Sequence, residues 1–125
     1  MPRPVIDQPR ISVVDDDEAV RDALGNLLAA LGYSVRTFES ASDFIENKGA
    51  VGAACLITDV QMPGMTGLEL MEHLTQTGET IPVIVVSAHT QAAAQARALR
   101  NGAVAWLDKP VRQQQLMDSI ARAMN

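Results

Sequence analysis

Cysteine occurs once in the 125 residues, at Cys55. No intrachain disulfide can form, a cysteine-rich zinc centre is disfavoured, and the usage fits a reducing compartment. Aromatic residues make up only 3%, so any core must be aliphatic. No apolar run approaches the ~20 residues of a membrane span. The first ten residues also lack the apolar stretch of a secretory leader, which makes the cytoplasm the expected location. Positive charge is short as well, with 10 Lys and Arg against 15 Asp and Glu, a net charge of −5. That balance argues against a nucleic-acid grip or a membrane-surface patch carried by this segment itself. Hydrophobic residues nonetheless reach 47% and charged residues only 20%, which excludes intrinsic disorder. A chain of this length is one domain, able to bury roughly two-thirds of its unfolded surface.

Residues 1–10 contain Pro2, Pro4 and Pro9 among polar residues and read as a flexible lead-in, leaving 11–125 as the domain. From Ile11 onward strand and helix signals alternate. Ile11 to Val14 is a short apolar run ending in acids, as expected of a strand buried on both faces. Ala19, Val20, Ala23, Leu24, Leu27, Leu28 and Leu31 form one helical stripe that stops at Gly32. Ser34 to Phe38 reads as a more exposed strand, and Ser40 to Asp43 as a capping box opening a short helix. Ala53 to Thr58, Val83 to Val86 and Ala103 to Leu107 supply three further strands. Thr66-Gly-Leu-Glu69 is a second capping box, Thr90 can cap a helix from Gln91 to Asn101, and Leu116, Met117, Ile120, Ala121 and Met124 mark the last helix.

Five strands alternating with five helices through short loops call for an open, doubly wound α/β fold with a five-stranded parallel sheet and helices on both faces. The functional crevice of such a sheet lies beyond the carboxyl ends of its strands. The residues there are Asp15, Asp16 and Asp17 after the first strand, Asp59 after the third, Ser87 after the fourth, and Asp108 and Lys109 after the fifth. Two carboxylates ~5 Å apart at an effective dielectric of ~20 repel by about 3 kcal/mol. A site gathering Asp15, Asp16 and Asp59 must protonate, splay or bind a cation, and Lys109 alone does not balance it. A hard divalent ion such as Mg²⁺ would bring the formal charge to zero and leave coordination positions for phosphate oxygens.

Val13 to Glu18, Asp59-Val-Gln-Met-Pro-Gly-Met-Thr-Gly67, Val86-Ser-Ala88 and Leu107-Asp-Lys-Pro110 together resemble the receiver domain of two-component response regulators. The likeness runs from about Ile11 to the C-terminus, and Ser87-Ala-His89 with Gly102-Ala-Val104 is most similar to receivers of the FixJ kind. The resemblance implies a flavodoxin-like strand order 2-1-3-4-5. It makes Asp59 the phosphorylation site, taking a phosphoryl group from the phosphohistidine of a cognate sensor histidine kinase. Asp16 would hold Mg²⁺ (Mn²⁺ in its place) directly and Asp15 through water, with Asp59 and the Gln61 carbonyl completing the set. Lys109 and Ser87 would contact phosphoryl oxygens. Ser87 and Trp106 would form the switch, Gln61 and His89 would tune hydrolysis, and the peptide before Pro110 would be cis. The protein would catalyse its own modification without being an enzyme in the ordinary sense, and the FixJ likeness implies transcription control through a C-terminal DNA-binding domain outside these residues.

Single features admit plainer readings. Asp17 caps the first helix, Cys55 is a small buried hydrophobe, and His73 is an exposed helix residue. Trp106 and Val111 depart from the family, which usually has Tyr or Phe and then Phe at these places. The alanine-rich helix from Gln91 has high intrinsic propensity. Its small side chains also suit close docking, so a phosphorylation-enhanced homodimer through the Gln91–Leu107 region is an expectation. Three rival functions fit less well. An aspartyl hydrolase of the haloacid-dehalogenase kind needs an acid where Gln61 stands. A flavin carrier needs a phosphate loop where three aspartates stand. An inactive pseudo-receiver would not keep the full set of acids, hydroxyl and lysine.

Overall fold

The computed structural model describes residues 9–88 and 91–124. The strands are β1 (Arg10–Val14), β2 (Ser34–Phe38), β3 (Ala53–Asp59), β4 (Val83–Ser87) and β5 (Ala105–Asp108). The helices between and after them are α1 (Glu18–Ala30), α2 (Ala41–Glu46), α3 (Gly67–Gln76), α4 (Ala92–Arg100) and α5 (Gln113–Met124). All strand pairs are parallel, in the order β2-β1-β3-β4-β5. This is the flavodoxin-like order, with β2 at one edge.

The strand alternation divides the core into two layers. Val14, Phe38, Leu56, Val83 and Val85 face one side, where Phe44 of α2, Leu68, Leu70, Met71 and Leu74 of α3, and Ala98 of α4 close over them. Ile11, Val13, Cys55, Ile57, Ile84, Val86 and Leu107 face the other, covered by Leu24 and Leu28 of α1 and Leu116 and Ile120 of α5. The aliphatic runs in β1, β3 and β4 are continuous because both faces of those strands are buried. Cys55 is fully buried, and burial pushes its thiol up to about 12, consistent with a small hydrophobe. No helix among the described residues is long and apolar enough to cross a membrane.

Local chemistry sets the boundaries. Asp17 is the N-cap of α1, accepting from the backbone N–H of Ala19 and Val20. Thr66 and Glu69 form the complete reciprocal capping box of α3. At α2 only half of the expected box exists. Ser40 accepts from the Asp43 N–H, but the Asp43 carboxylate reaches back to the Glu39 N–H instead of that of Ser40. Of the α1 stripe, Ala19 and Ala23 are exposed, and Leu24 and Leu28 carry the burial. β5 begins at Ala105, two residues later than the sequence pattern suggests. Ala103 is occupied in ending α4: its N–H bonds the Ala98 carbonyl and the Gly102 N–H bonds that of Leu99, with Gly102 at φ 94°. The expected cap Thr90 lies outside the described residues, and Gln91 at the start of α4 makes no side-chain capping bond. His73 is half-buried, not exposed.

Candidate phosphoacceptor and cation site

The carboxyl ends of β1, β3, β4 and β5 lie side by side because the strands are in parallel register, with Val14 opposite Thr58, Asp59 opposite Val86, and Ser87 opposite Asp108. This register brings residues far apart in sequence to one end of the sheet. Asp15, Asp16 and Asp59 each present a carboxylate oxygen within 4.8 Å of the others. Asp15 and Asp59 are buried, at 1% and 7% exposure, whereas Asp16 is exposed. The cluster is thus a pocket with two acids in its floor and one at its mouth.

Lys109 reaches into the pocket from beyond β5. Its Nζ lies 2.9 Å from Asp15 Oδ2 and 3.2 Å from Asp59 Oδ2, so one ammonium bridges the two buried carboxylates. The backbone of the same residue is tied to the neighbouring strand, its N–H donating to the Ser87 carbonyl at 2.8 Å. Burial lowers the tendency of Lys109 to stay charged, but the hydrogen bond to Asp15 and the charges of Asp59 and Asp15 outweigh it, and its pKa rises above the usual lysine value. Asp59 moves the other way from a typical paired acid. Burial raises its pKa, Lys109 pulls it back, Asp15 adds to the rise, and the net direction is upward. The pocket therefore retains uncompensated negative charge.

Hard oxygen donors, net negative charge and an open mouth at Asp16 are the donor chemistry that suits Mg²⁺ or Mn²⁺. Gln61, whose carbonyl was expected among the ligands, is exposed in the loop two residues beyond Asp59. Ser87 ends β4 and is 2% exposed, beside the pocket in register with Asp108. The Lys109–Pro110 peptide is cis. Trp106 is half-buried on β5, packed against the layer formed with α2, α3 and α4, and its indole N–H is buried with no partner among the described residues. Val111 packs on the opposite layer. His89 lies outside the described residues.

Two further residues shape the site and were not singled out by the sequence pattern. Gly67, the first residue of α3, passes so close to β3 that a Cβ there would sit 2.1 Å from the Asp59 carbonyl oxygen. Glycine at the first turn of a well-capped helix has no propensity advantage, and that oddity was the available signal. Arg21, on α1, donates from NH1 to the Asp15 carbonyl at 2.7 Å. No sequence pattern reveals a side chain whose partner is a backbone carbonyl.

Comparison with known proteins agrees with this geometry. The model of the response regulator receiver domain matches residues 11–121. Response regulator protein TmoT of Ectopseudomonas mendocina is 39% identical over 114 residues, which cover 91% of this chain and 52% of that protein. The chain thus spans about half the length of the curated relatives it matches. Among solved structures, the response regulator StyR superposes with a TM-score of 0.86 at 41% identity, over 94% of this chain and 59% of StyR. FixJ-N superposes with a TM-score of 0.86 at 32% identity over 95% of each chain. A family match across nearly the whole chain, joined to the FixJ likeness, makes this chain a member of the response regulator receiver domain family of two-component signalling, of the FixJ-like kind.

Proposed function

We propose that the chain is a phosphoacceptor switch in which Asp59 takes a phosphoryl group from the phosphohistidine of a sensor histidine kinase. The observation that carries this reading is the bridge made by Lys109 between Asp15 and Asp59, with a third carboxylate within 4.8 Å. A carboxylate oxygen of Asp59 would attack phosphorus, the new O–P bond forming as the N–P bond breaks and its electron pair returns to the imidazole. Phosphoryl transfer depends chiefly on positioning and charge neutralisation, and this chain's residues are suited to both. Lys109 offers an ammonium already held over Asp59, free to exchange a carboxylate for a phosphoryl oxygen. Ser87, in register beside it, would hydrogen-bond a second oxygen. Asp15, Asp16, Asp59 and the Gln61 carbonyl would hold Mg²⁺ or Mn²⁺, which when bound supplies the positive charge that the incoming dianion requires. Gln61 and His89 would set how quickly water removes the phosphoryl group.

The readout would pass through Ser87 and Trp106. Movement of Ser87 toward the phosphoryl group would displace the loop after β4 and open space for the Trp106 side chain. The orphaned indole N–H supports this assignment, because a buried donor without an acceptor costs about 1–3 kcal/mol and gains from any move that finds a partner. The repacked face of α4 and β5 would favour a homodimer through the Gln91–Leu107 region. The output would be transcription control, as the names of the transcriptional regulatory proteins TdiR and FixJ suggest, carried by a DNA-binding domain outside these residues.

Trp106 is the single tryptophan, so its fluorescence reports the site directly. Titration with Mg²⁺ and then beryllium fluoride should change its emission in the parent and leave Asp59→Asn unchanged at the second step. An identical beryllium fluoride response in Asp59→Asn would contradict the reading.

A further inference from the structure

We propose that Arg21 is a positioning residue of the cation pocket, fixing through the Asp15 carbonyl the direction in which Asp16 presents its carboxylate. The inference rests on the phosphoacceptor reading and extends it to a residue outside the acid, hydroxyl and lysine set.

The two neighbouring aspartates are held unequally. Asp15 is fixed at every polar atom. Its N–H donates to the Phe38 carbonyl at 3.1 Å. Its Oδ1 accepts from the Asp17 N–H at 2.9 Å, and its Oδ2 from Lys109 Nζ at 2.9 Å. Its carbonyl accepts from Arg21 NH1 at 2.7 Å. Asp16 has no such support: its carboxylate is exposed and has no hydrogen-bond partner among the described residues. The aim of that carboxylate therefore depends on the backbone that carries it.

The strand ladders of β1 end at Val14, so the sheet no longer orients the peptide plane between Asp15 and Asp16. The carbonyl oxygen of that plane is the atom Arg21 grips. A charged, planar donor at 2.7 Å is a strong tether, roughly twice the strength of a neutral hydrogen bond. The arm comes from the first turns of α1, whose N-cap Asp17 and the Arg21 N–H bond to the Asp17 carbonyl make the turn rigid. Arg21 is half-buried. The tether thus links the body of α1 to the peptide plane on one side of Asp16, while the Asp17 N–H bond to Asp15 Oδ1 holds the plane on the other.

Charge and position make opposite predictions, which allows a clear test. If Arg21 were only a nearby cation, removing it would strengthen Mg²⁺ binding, since like charges repel. If it positions Asp16, removing it must weaken binding despite that relief. Partners that orient metal ligands typically change affinity by 10- to 100-fold.

Isothermal titration of Mg²⁺ into the metal-free protein is the experiment, with Arg21→Met, which keeps the alkyl stem, and Arg21→Lys, which keeps the charge. We expect affinity about tenfold weaker in Arg21→Met, at the low end of that range, and largely restored in Arg21→Lys. Amide exchange at Asp17, whose N–H is held by Asp15, should also be faster in metal-free Arg21→Met. Should that variant unfold, Arg21→Gln, with a shorter uncharged arm, is read in the same way. Affinity equal to or tighter than the parent, or a lysine variant no better than the methionine one, overturns the proposal while leaving the phosphoacceptor reading intact. A parent that takes up no Mg²⁺ overturns both.

Discussion

A Cβ at Gly67 would lie 2.1 Å from the carbonyl oxygen of Asp59, so α3 starts in contact with the backbone of the proposed phosphoacceptor. The same oxygen accepts from the Thr58 hydroxyl at 3.0 Å, and the Gly67 N–H donates to the next carbonyl, that of Val60, at 3.0 Å. Neither backbone can retreat without breaking these bonds. Gly67→Ala should therefore destabilise the protein by about 1–3 kcal/mol, the usual cost of overpacking a closed site. Urea unfolding measures this, and an unchanged midpoint would contradict it. Because the clash falls on Asp59 itself, the variant should also take up a phosphoryl group more slowly than its residual stability accounts for.

Asp59 in the metal-free fold is an acid held against its preference. Burial raises its pKa above the ordinary range, Lys109 offsets part of that, and Asp15 adds to it. The native state binds this proton more tightly than the unfolded chain does, so ionised Asp59 lowers stability at neutral pH. The penalty fades as pH falls through the native value toward the usual carboxylate value of about 4. Without Mg²⁺, Asp59→Asn should be more heat-stable than the parent at neutral pH, with the gap closing as pH is lowered. Lys109 acts in the opposite sense: its raised pKa gives stability that is full below about pH 10.4 and lost above it. Scanning calorimetry across pH checks both, and an Asp59→Asn variant less stable than the parent at neutral pH would refute the first.

Cys55 should be chemically silent until the fold opens. With the thiol pushed up to about 12, only about one molecule in ten thousand carries a thiolate at pH 8. The group is also fully buried in the layer beneath α1 and α5. A disulfide reagent should not react with the native protein and should titrate the cysteine after guanidinium unfolding. Rapid native labelling would show that this layer opens locally.

Much of the architecture was legible because parallel strands buried on both faces leave an unambiguous trace. Ile11 to Val14 and Val83 to Val86 read as strands from their aliphatic runs alone, and the residue after each run marked one wall of the pocket. Helix ends were legible where one residue type governs them, as at Asp17 and Thr66. The pattern misled where a neighbour changed a residue's duty. Ala103 looked like the start of β5 but terminates α4 through the Ala98 carbonyl, and the Asp43 carboxylate accepts from the Glu39 N–H in place of that of Ser40. Asp15, Asp16, Asp59 and Lys109 could be nominated singly from strand ends, yet the bridge of one ammonium between two buried acids exists only once β1, β3 and β5 are in register. Arg21 was hidden because its partner is a backbone carbonyl, and Gly67 left only the oddity of a glycine in the first turn of a capped helix.

The most direct test of the account is to find where a phosphoryl group is attached. The protein is treated with acetyl phosphate or phosphorylated kinase, with and without Mg²⁺, and the acyl phosphate is reduced with borohydride, which converts a phosphorylated aspartate to homoserine. Peptide mass spectrometry then locates the change. The account predicts homoserine at Asp59 only, and only when Mg²⁺ is present; conversion at another aspartate, or equal conversion at Asp59 without the ion, would contradict it.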